Sequence, residues 1–426
     1  MKKQLLLVLV VVSVALTVVS NAVAGRSVPG RYIVVLKPTA KSSAVAAAHE
    51  KSIGADVLHV YSSALHGYAA RLTPAALRAL RYDMQVAYVV PDRRVHALAQ
   101  SAPTGVRRIE ASTDGSTQTL ANDGAGVNVA VIDTGIELNH PDLAPVRSGK
   151  NCVRTRKAPN DDNGHGSHVA GTIAARENGI GVVGIAPGAN LYAVKVLNSA
   201  GSGTWSQVIC GIDWVTSTRT DGDPANNIAV ANMSLGGGGS DDGNCGLSNR
   251  DALHQAICRS VAAGVTYVVA AGNSASDLAG QVPSAYNEVL SVTAVADFDG
   301  LPGGSAAATC RTDVDDTYAD FSSFAVSASD QSHTIAAPGV CIESTWRNGG
   351  YNTISGTSMA SPHMTGVAAL CIASGSCAGT PAQIVQRLRS DAAAYAAAFP
   401  GYGFAGDPAS PSGNRYFGYL TWAAAY

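Results

Sequence analysis

The sequence predicts an α/β protein whose long C-terminal part is a doubly wound, mostly parallel sheet, with a small α+β domain ahead of it. Two observations carry this prediction. From Gly126 onward come five near-continuous apolar runs: VNVAVID (127–133), ANLYAVKVL (189–197), NNIAVANMSL (226–235), GVTYVVAAGN (264–273) and VLSVTAV (289–295). Such runs are the mark of strands buried on both faces, as parallel strands are. Between them lie helix-like stretches at 165–175, 204–217 and 252–263, which serve as crossovers. In sheets of this kind the site lies at the carboxyl ends of the strands. Asp133, Ser234 and Asn273 therefore mark where to look.

The elements follow in chain order. Lys2 and Lys3, an apolar run over 5–19 and the small-residue sequence Ala22-Val23-Ala24 read as a cleaved export signal over 1–24. That run is short for a membrane span of about 20 residues, so a stable membrane anchor is not expected. Residues 25–98 form a separate unit in this reading. RYIVVLK (31–37) is strand-like and 42–51 is alanine-rich and helical; 56–72 holds two strands around a turn near Gly67. Thr73 caps a second helix with Pro74 in its first turn, and VAYVVP (86–91) closes the unit. The order βαββαβ is a ferredoxin-like plait. Within the second unit, 297–330 reads as an inserted loop rich in Gly, Ser and Asp.

Composition narrows the function. Charged residues are 14% of the chain, too few for a disordered protein. Residues 1–98 hold 12 Lys/Arg and 4 Asp/Glu, a net of +8; the remainder holds 17 and 27, a net of −10. An acidic C-terminal unit is a poor match for nucleic acid, and the two units carry opposite charge. Eight cysteines, an even number, suit an oxidising, extracellular setting.

Three polar positions interrupt the apolar background. Asp133 ends a strand, where a carboxylate must be solvated or paired. His165 opens a helix between glycines in NGHGSHVAGT, and Ser358 opens another in SGTSMASPH, where N–H groups favour developing negative charge. A serine becomes a nucleophile when a base takes its proton, and the base needs an orienting anion. Asn273, after VVAAG, is placed to donate to an oxyanion. Each residue alone has a plainer reading as a turn or cap residue. A zinc site on His165 and His168 lacks the HExxH pattern, and the GxSxG elbow of another hydrolase class is absent. A non-enzymatic binding protein on the same scaffold is the rival, since fold does not establish activity.

VAVIDTGI, NGHGSHVAGTIAA, NMSLGG, VVAAGN and SGTSMASPH, in that order, resemble the signatures of the subtilisin-like serine proteases. The resemblance covers 99–426, and 30–98 resembles that family's inhibitory propeptide. It implies a subtilisin-like catalytic domain over 99–426, a propeptide over 25–98 that assists folding and blocks the site, and a secreted monomer acting on protein and peptide substrates. It implies Asp133 as orienting acid, His165 as general base, Ser358 as nucleophile, and Asn273 with the Ser358 N–H as oxyanion hole. Gly201-Ser202-Gly203 and Ser234-Leu235-Gly236 resemble the segments that pair with substrate backbone as added strands. Ala270, Ala271 and Gly272 resemble a wall of the pocket for the residue before the scissile bond, which Gln281 shortens without charging. RRVHALAQSAPTGVRRI resembles the propeptide junction, which implies a cut between Leu98 and Ala99 and a preference for apolar residues.

The same resemblance implies a structural calcium ion. ARENGIGVVGIAP (175–187) is similar to the family's calcium loop, with the Asn178 side chain and the carbonyls of Arg176, Ile180 and Val182 as ligands. Asp142 and Gln100 match the remaining positions, giving an all-oxygen set of the kind calcium prefers. For the cysteines, local proximity favours Cys371 with Cys377, Cys245 with Cys258 and Cys310 with Cys341. Cys152 and Cys210 are left to pair or to remain free.

Overall fold

The computed structural model describes residues 27–93, 100–143 and 145–426. The export signal and the Leu98–Ala99 junction lie outside the described residues. The chain divides into two compact units after Ala97.

The first unit runs β1 (Ser27–Leu36), α1 (Ser42–Ile53), β2 (Asp56–Tyr61), β3 (Gly67–Arg71), α2 (Pro74–Leu80) and β4 (Val86–Arg93). Its sheet order is β2-β3-β1-β4, every pair antiparallel, which is the plait expected from the element order. Thr73 caps α2 as read from the sequence, its Oγ1 accepting the Ala76 N–H at 3.2 Å, with Pro74 in the first turn. Val34, Leu36, Val45, Tyr68 and Leu80 form a small core of their own.

In the second unit seven strands run parallel. They are β5 (Asn128–Asp133), β6 (Arg147–Asn151), β7 (Asn190–Lys195), β8 (Ile228–Met233), β9 (Thr266–Ala270), β10 (Leu290–Ala296) and β11 (Thr334–Pro338), in the order β6-β7-β5-β8-β9-β10-β11. All residues of β5, β9, β10 and β11 are buried. Alternation along β5 sends Val129 and Val131 to one core and Ala130 and Ile132 to the other. The first core is closed by α3 (His165–Ala174) and α6 (Thr357–Ala373); the second is closed by α4 (Trp205–Ser217) and α5 (Ala252–Ala262). A capping box between Thr204 and Gln207 starts α4, and Asp251 caps α5.

Some expectations need adjusting. The runs at 226–235 and 264–273 leave the ladder early, at Met233 and Ala270, so that Ser234–Gly236 and Ala271–Asn273 are free to line the site. β6 carries no apolar signal because RSGKN is a half-exposed edge strand. The 297–330 stretch is not a loose insertion. Residues Thr317–Tyr318 pair with β10, and the buried Arg108 holds Asp297 and Asp316 at 3.2 and 2.8 Å. All four disulfides are formed: Cys152–Cys210 joins the three expected from proximity. Among the described residues no helix is long and apolar enough to cross a membrane.

Candidate active site

Asp133 is the last residue of β5 and fully buried; His165 is the first residue of α3; Ser358 is the second residue of α6. The sheet therefore delivers the acid from a strand end and the other two from helix starts. His165 Nδ1 lies 2.8 Å from Asp133 Oδ1. A carboxylate only accepts, so Nδ1 carries the proton and Nε2 keeps its lone pair. Burial disfavours the charged imidazole. The charge of Asp133 and its hydrogen bond, with Asp161 behind, outweigh this and hold His165 above the usual histidine range. Gly164, which opens the turn into α3, has φ of +117°, and a Cβ there would fall 2.2 Å from Trp346 Cε2. No other residue type suits that position.

His168, one turn along the same helix, has the opposite fate. Its Nε2 faces the carbonyls of Ile342 and Asn352 at 2.9 and 3.1 Å, and burial pushes its pKa down to about 3. The two rings serve different partners, so they do not form a common metal site.

Ser358 Oγ donates a long hydrogen bond, 3.3 Å, to Ser234 O rather than to His165. Asn273 Oδ1 accepts from the Thr357 N–H at 2.8 Å and the Thr357 hydroxyl at 2.9 Å. That fixes the amide and leaves its Nδ2 uncommitted. The Ser358 N–H at the start of α6 likewise meets no acceptor among the described residues. Two free donors beside a serine at a helix start form an arrangement suited to a developing oxyanion.

A groove of about 730 Å³ is lined by His165, by Gly201, Ser202 and Gly203 on one side, and by Ser234, Leu235 and Gly236 on the other. A second cavity of about 170 Å³ is lined by Ala270, Gly272, Asn273, Gln281 and Ser358, and shares Leu235 and Gly236 with the groove. No charged side chain lines it. Gln281 is pinned by its Nε2 to Ser276 Oγ and Ser323 Oγ at 3.2 and 3.1 Å. Its Oε1 fills the space of a side chain at Gly272, where φ is +108°. Ala271 stands apart: strand alternation turns it into a small cluster with Leu278 and Ala325, away from the cavity.

The predicted ion-binding residues also converge. Asp142 is fully buried; its Oδ2 accepts from Val182 N at 2.9 Å and Tyr351 OH at 3.2 Å, while Oδ1 has no hydrogen-bond partner. Burial pushes its carboxyl above the usual range despite those two donors and Asn178. The carbonyls of Arg176, Ile180 and Val182 accept no hydrogen bond among the described residues, whereas that of Gly181 takes the Ser101 N–H at 2.8 Å. Gln100 also reaches this loop: its Oε1 accepts from the N–H groups of Asn178 and Gly179 at 2.9 and 3.0 Å.

Several contributors gave only a faint signal in the sequence. Thr134 Oγ1 donates to Asp161 Oδ1 at 2.8 Å and accepts the Gly166 N–H, which ties the loop after Asp133 to α3. Lys195, 2% exposed, holds the Thr134 carbonyl and Asp162 Oδ1. Asn232 and Thr357 brace the neighbourhood of Ser358. A lysine and an asparagine inside apolar strands are legible as anomalies; Thr357 is not.

The Subtilase family profile matches residues 124–419 and the Peptidase inhibitor I9 profile matches residues 31–98. Subtilisin E of Bacillus subtilis (strain 168) is 37% identical over 389 residues, covering 89% of this chain and 90% of that protein. M-protease of Shouchella clausii (strain KSM-K16) is 36% identical over 323 residues, covering 75% and 72%. A crystal structure of a cold adapted subtilisin-like serine proteinase matches with a TM-score of 0.57 and 31% identity, covering 76% of this chain and 98% of that one.

Proposed function

Because the chain belongs to the subtilase family and is a serine endopeptidase preceded by an I9-type inhibitor domain, we propose that it is a secreted, self-processing enzyme that works through an acyl-enzyme on Ser358. The single observation that carries the assignment of residues is the His165–Asp133 pair. Its free Nε2 borders the groove whose walls continue into the cavity lined by Ser358.

In the reaction Ser358 Oγ turns from Ser234 O to His165 Nε2, gives up its proton and attacks the peptide carbonyl carbon. The oxygen gathers charge against Asn273 Nδ2 and the Ser358 N–H. His165 then returns the proton to the leaving nitrogen as the C–N bond breaks. Water repeats the sequence and frees the acid. Asp133 keeps the imidazole in the tautomer that can accept. Gly201–Gly203 and Ser234–Gly236 bind the substrate backbone, and the uncharged cavity beside Gln281 takes an apolar side chain. The 25–98 domain, cut at Leu98–Ala99, acts as the enzyme's own inhibitor, and the mature protein is a monomer without a membrane anchor.

Calcium fits the loop at Asn178. Asp142 Oδ1, the side chains of Asn178 and Gln100 and the carbonyls of Arg176, Ile180 and Val182 would hold it, with Gln100 also tethering the mature N-terminus. The ion would supply the positive charge that the orphaned Asp142 oxygen lacks.

The test is labelling of the folded mature protein with a serine-directed phosphonate. A single adduct on Ser358 is expected, and its absence would favour a binding protein instead. With peptides differing only before the scissile bond, Leu should be cleaved faster than Arg; the reverse order would overturn the reading of the cavity.

A further inference from the structure

Helix α6 contains a proline at an unusual depth. Pro362 is the sixth residue of Thr357–Ala373, beyond the first turn where proline is tolerated. In an α-helix the N–H of residue 362 would bond the carbonyl of residue 358. Proline has no N–H, so the carbonyl of Ser358, the proposed nucleophile, loses its helical partner. A proline ring at this position also clashes with the carbonyl four residues earlier, which is that of Ser358.

The missing bond is supplied from another element. Ser234 Oγ, just past the end of β8, donates to Ser358 O at 2.8 Å. The direction of this donation is set from behind, because Asn232 Nδ2 donates to Ser234 Oγ at 3.0 Å and leaves the hydroxyl's own proton for Ser358. Asn232 is itself locked by α6: its Oδ1 accepts from Ser361 Oγ and Thr365 Oγ1, both at 2.8 Å. Asn232 and Ser361 are fully buried and Ser234 is 4% exposed, so water does not compete for these bonds. Ser234 also meets the other end of the same residue, since its carbonyl accepts from Ser358 Oγ at 3.3 Å.

We infer that the Ser234 side chain is a positioning residue: its hydroxyl replaces the helical hydrogen bond that Pro362 cannot make and so sets the backbone of Ser358. This role is separate from backbone pairing of Ser234–Gly236 with substrate, and it rests on the reading of Ser358 as nucleophile. It explains how a helix with a proline inside presents its second residue in one fixed orientation. The Ser358–Met359 peptide is clamped to the residue that follows β8, and that residue also lines the groove.

The test compares Ser234→Ala, Ser234→Thr, Pro362→Ala and the double variant Ser234→Ala/Pro362→Ala as mature enzymes, with Ser358→Ala as control. Ser234→Ala should lower kcat by about 10–100-fold, the scale of a small misplacement of a reacting group, with KM little changed. The acid limb of the pH profile should not move, because Ser234 does not touch His165. Ser234→Thr, which keeps the hydroxyl, should retain most of the activity. Pro362→Ala restores an N–H for Ser358 O, so the double variant should regain about 10-fold in kcat over Ser234→Ala. A merely structural role predicts the contrary, with two defects in a packed region adding. A kcat for Ser234→Ala within about twofold of the parent, or a double variant no faster than Ser234→Ala, overturns the inference. If Ser234→Ala does not fold, recovery of folded, active enzyme in the double variant supports it and continued failure overturns it. Full activity in Ser358→Ala would instead remove the functional reading on which it stands.

Discussion

Two histidines in the catalytic unit make the same bond and do different things. His165 lies 2.8 Å from Asp133 and His254 lies 2.8 Å from Glu288. In both, burial works against the charged ring, and carboxylates win and raise the pKa. The difference is the second nitrogen. The His165 side chain is 25% exposed and borders a groove; that of His254 is 0% exposed, with Nδ1 3.5 Å from both Asp241 and Asp242. The His254 ring is also stacked on Tyr286, centroids 4.0 Å apart, and Tyr286 OH is tied to Asp251 at 2.6 Å. A histidine–carboxylate pair therefore orients an imidazole but does not make it a base. A base needs a free lone pair facing a hydroxyl and a substrate; His165 borders a groove that can receive one, whereas the His254 side chain is fully buried.

The largest effect should come from emptying the first site. Ser358→Ala should lower kcat by about 10⁶-fold, the loss known for the equivalent removal in subtilisin, and Asp133→Asn by about 10⁴-fold through the wrong tautomer. Glu288→Gln, the matching change at His254, should leave kcat within about twofold. Peptide hydrolysis by purified mature variants checks all three, and a large kcat loss in Glu288→Gln would erase the distinction between the pairs.

Asp142 is a buried carboxylate that no histidine hydrogen-bonds, its Oδ1 left without a partner. If calcium is its counter-charge, saturating metal stabilises by about 2.7 kcal/mol at a hundredfold excess over Kd. Chelation should hasten thermal inactivation, and Asp142→Asn should reproduce the effect with calcium present. An inactivation rate indifferent to both would remove the ion from the account.

A smaller effect is expected at Glu288. Breaking a fully buried ion pair costs about 3–5 kcal/mol. Glu288 is 27% exposed, which reduces the expected loss for Glu288→Gln to about 1–2 kcal/mol. Denaturant titration of phosphonate-inhibited protein measures it; an unchanged midpoint would mean that Asp241 and Asp242 suffice to hold the ring.

Changing pH should produce the smallest effect, with stability through His254 and activity through His165 moving in opposite directions. His254 has a raised pKa in the folded protein. Its stabilisation is thus fully present below the unfolded value of about 6.5 and is lost as pH rises through the folded value. His165 must be neutral to accept a proton, so activity rises as pH climbs through its own raised value. Stability and kcat/KM measured across the same pH range should diverge, and His254→Gln should flatten the stability curve while leaving the activity profile in place.

Much of this site is legible in short stretches of chain. Asp133, His165, Asn273 and Ser358 stand at the ends of apolar runs or the starts of helices, where a doubly wound sheet leaves polar groups exposed to a ligand. Gly201–Gly203 and Ser234–Gly236 are recognisable only through their resemblance to the family's substrate-pairing segments. Ala271 lies outside the cavity lining and packs with Leu278 and Ala325, because successive residues of an extended segment face opposite sides, which the three-residue resemblance does not encode.

Local signals are enough for the elements: strands from buried apolar runs, a helix start from Thr73, the plait from its element order, and three disulfides from proximity. These depend on local periodicity, caps and short loops, all written along the chain. The tertiary structure alone decided the rest. It paired Cys152 with Cys210 across 58 residues, set Arg108 against Asp297 and Asp316, left Asp142 Oδ1 without a partner, and brought Ser234 to the carbonyl that Pro362 abandons. The physical reason is that a buried polar group takes its meaning from whatever fills its hydrogen-bonding positions, and those partners arrive from distant elements only when the sheet and its helices close around them.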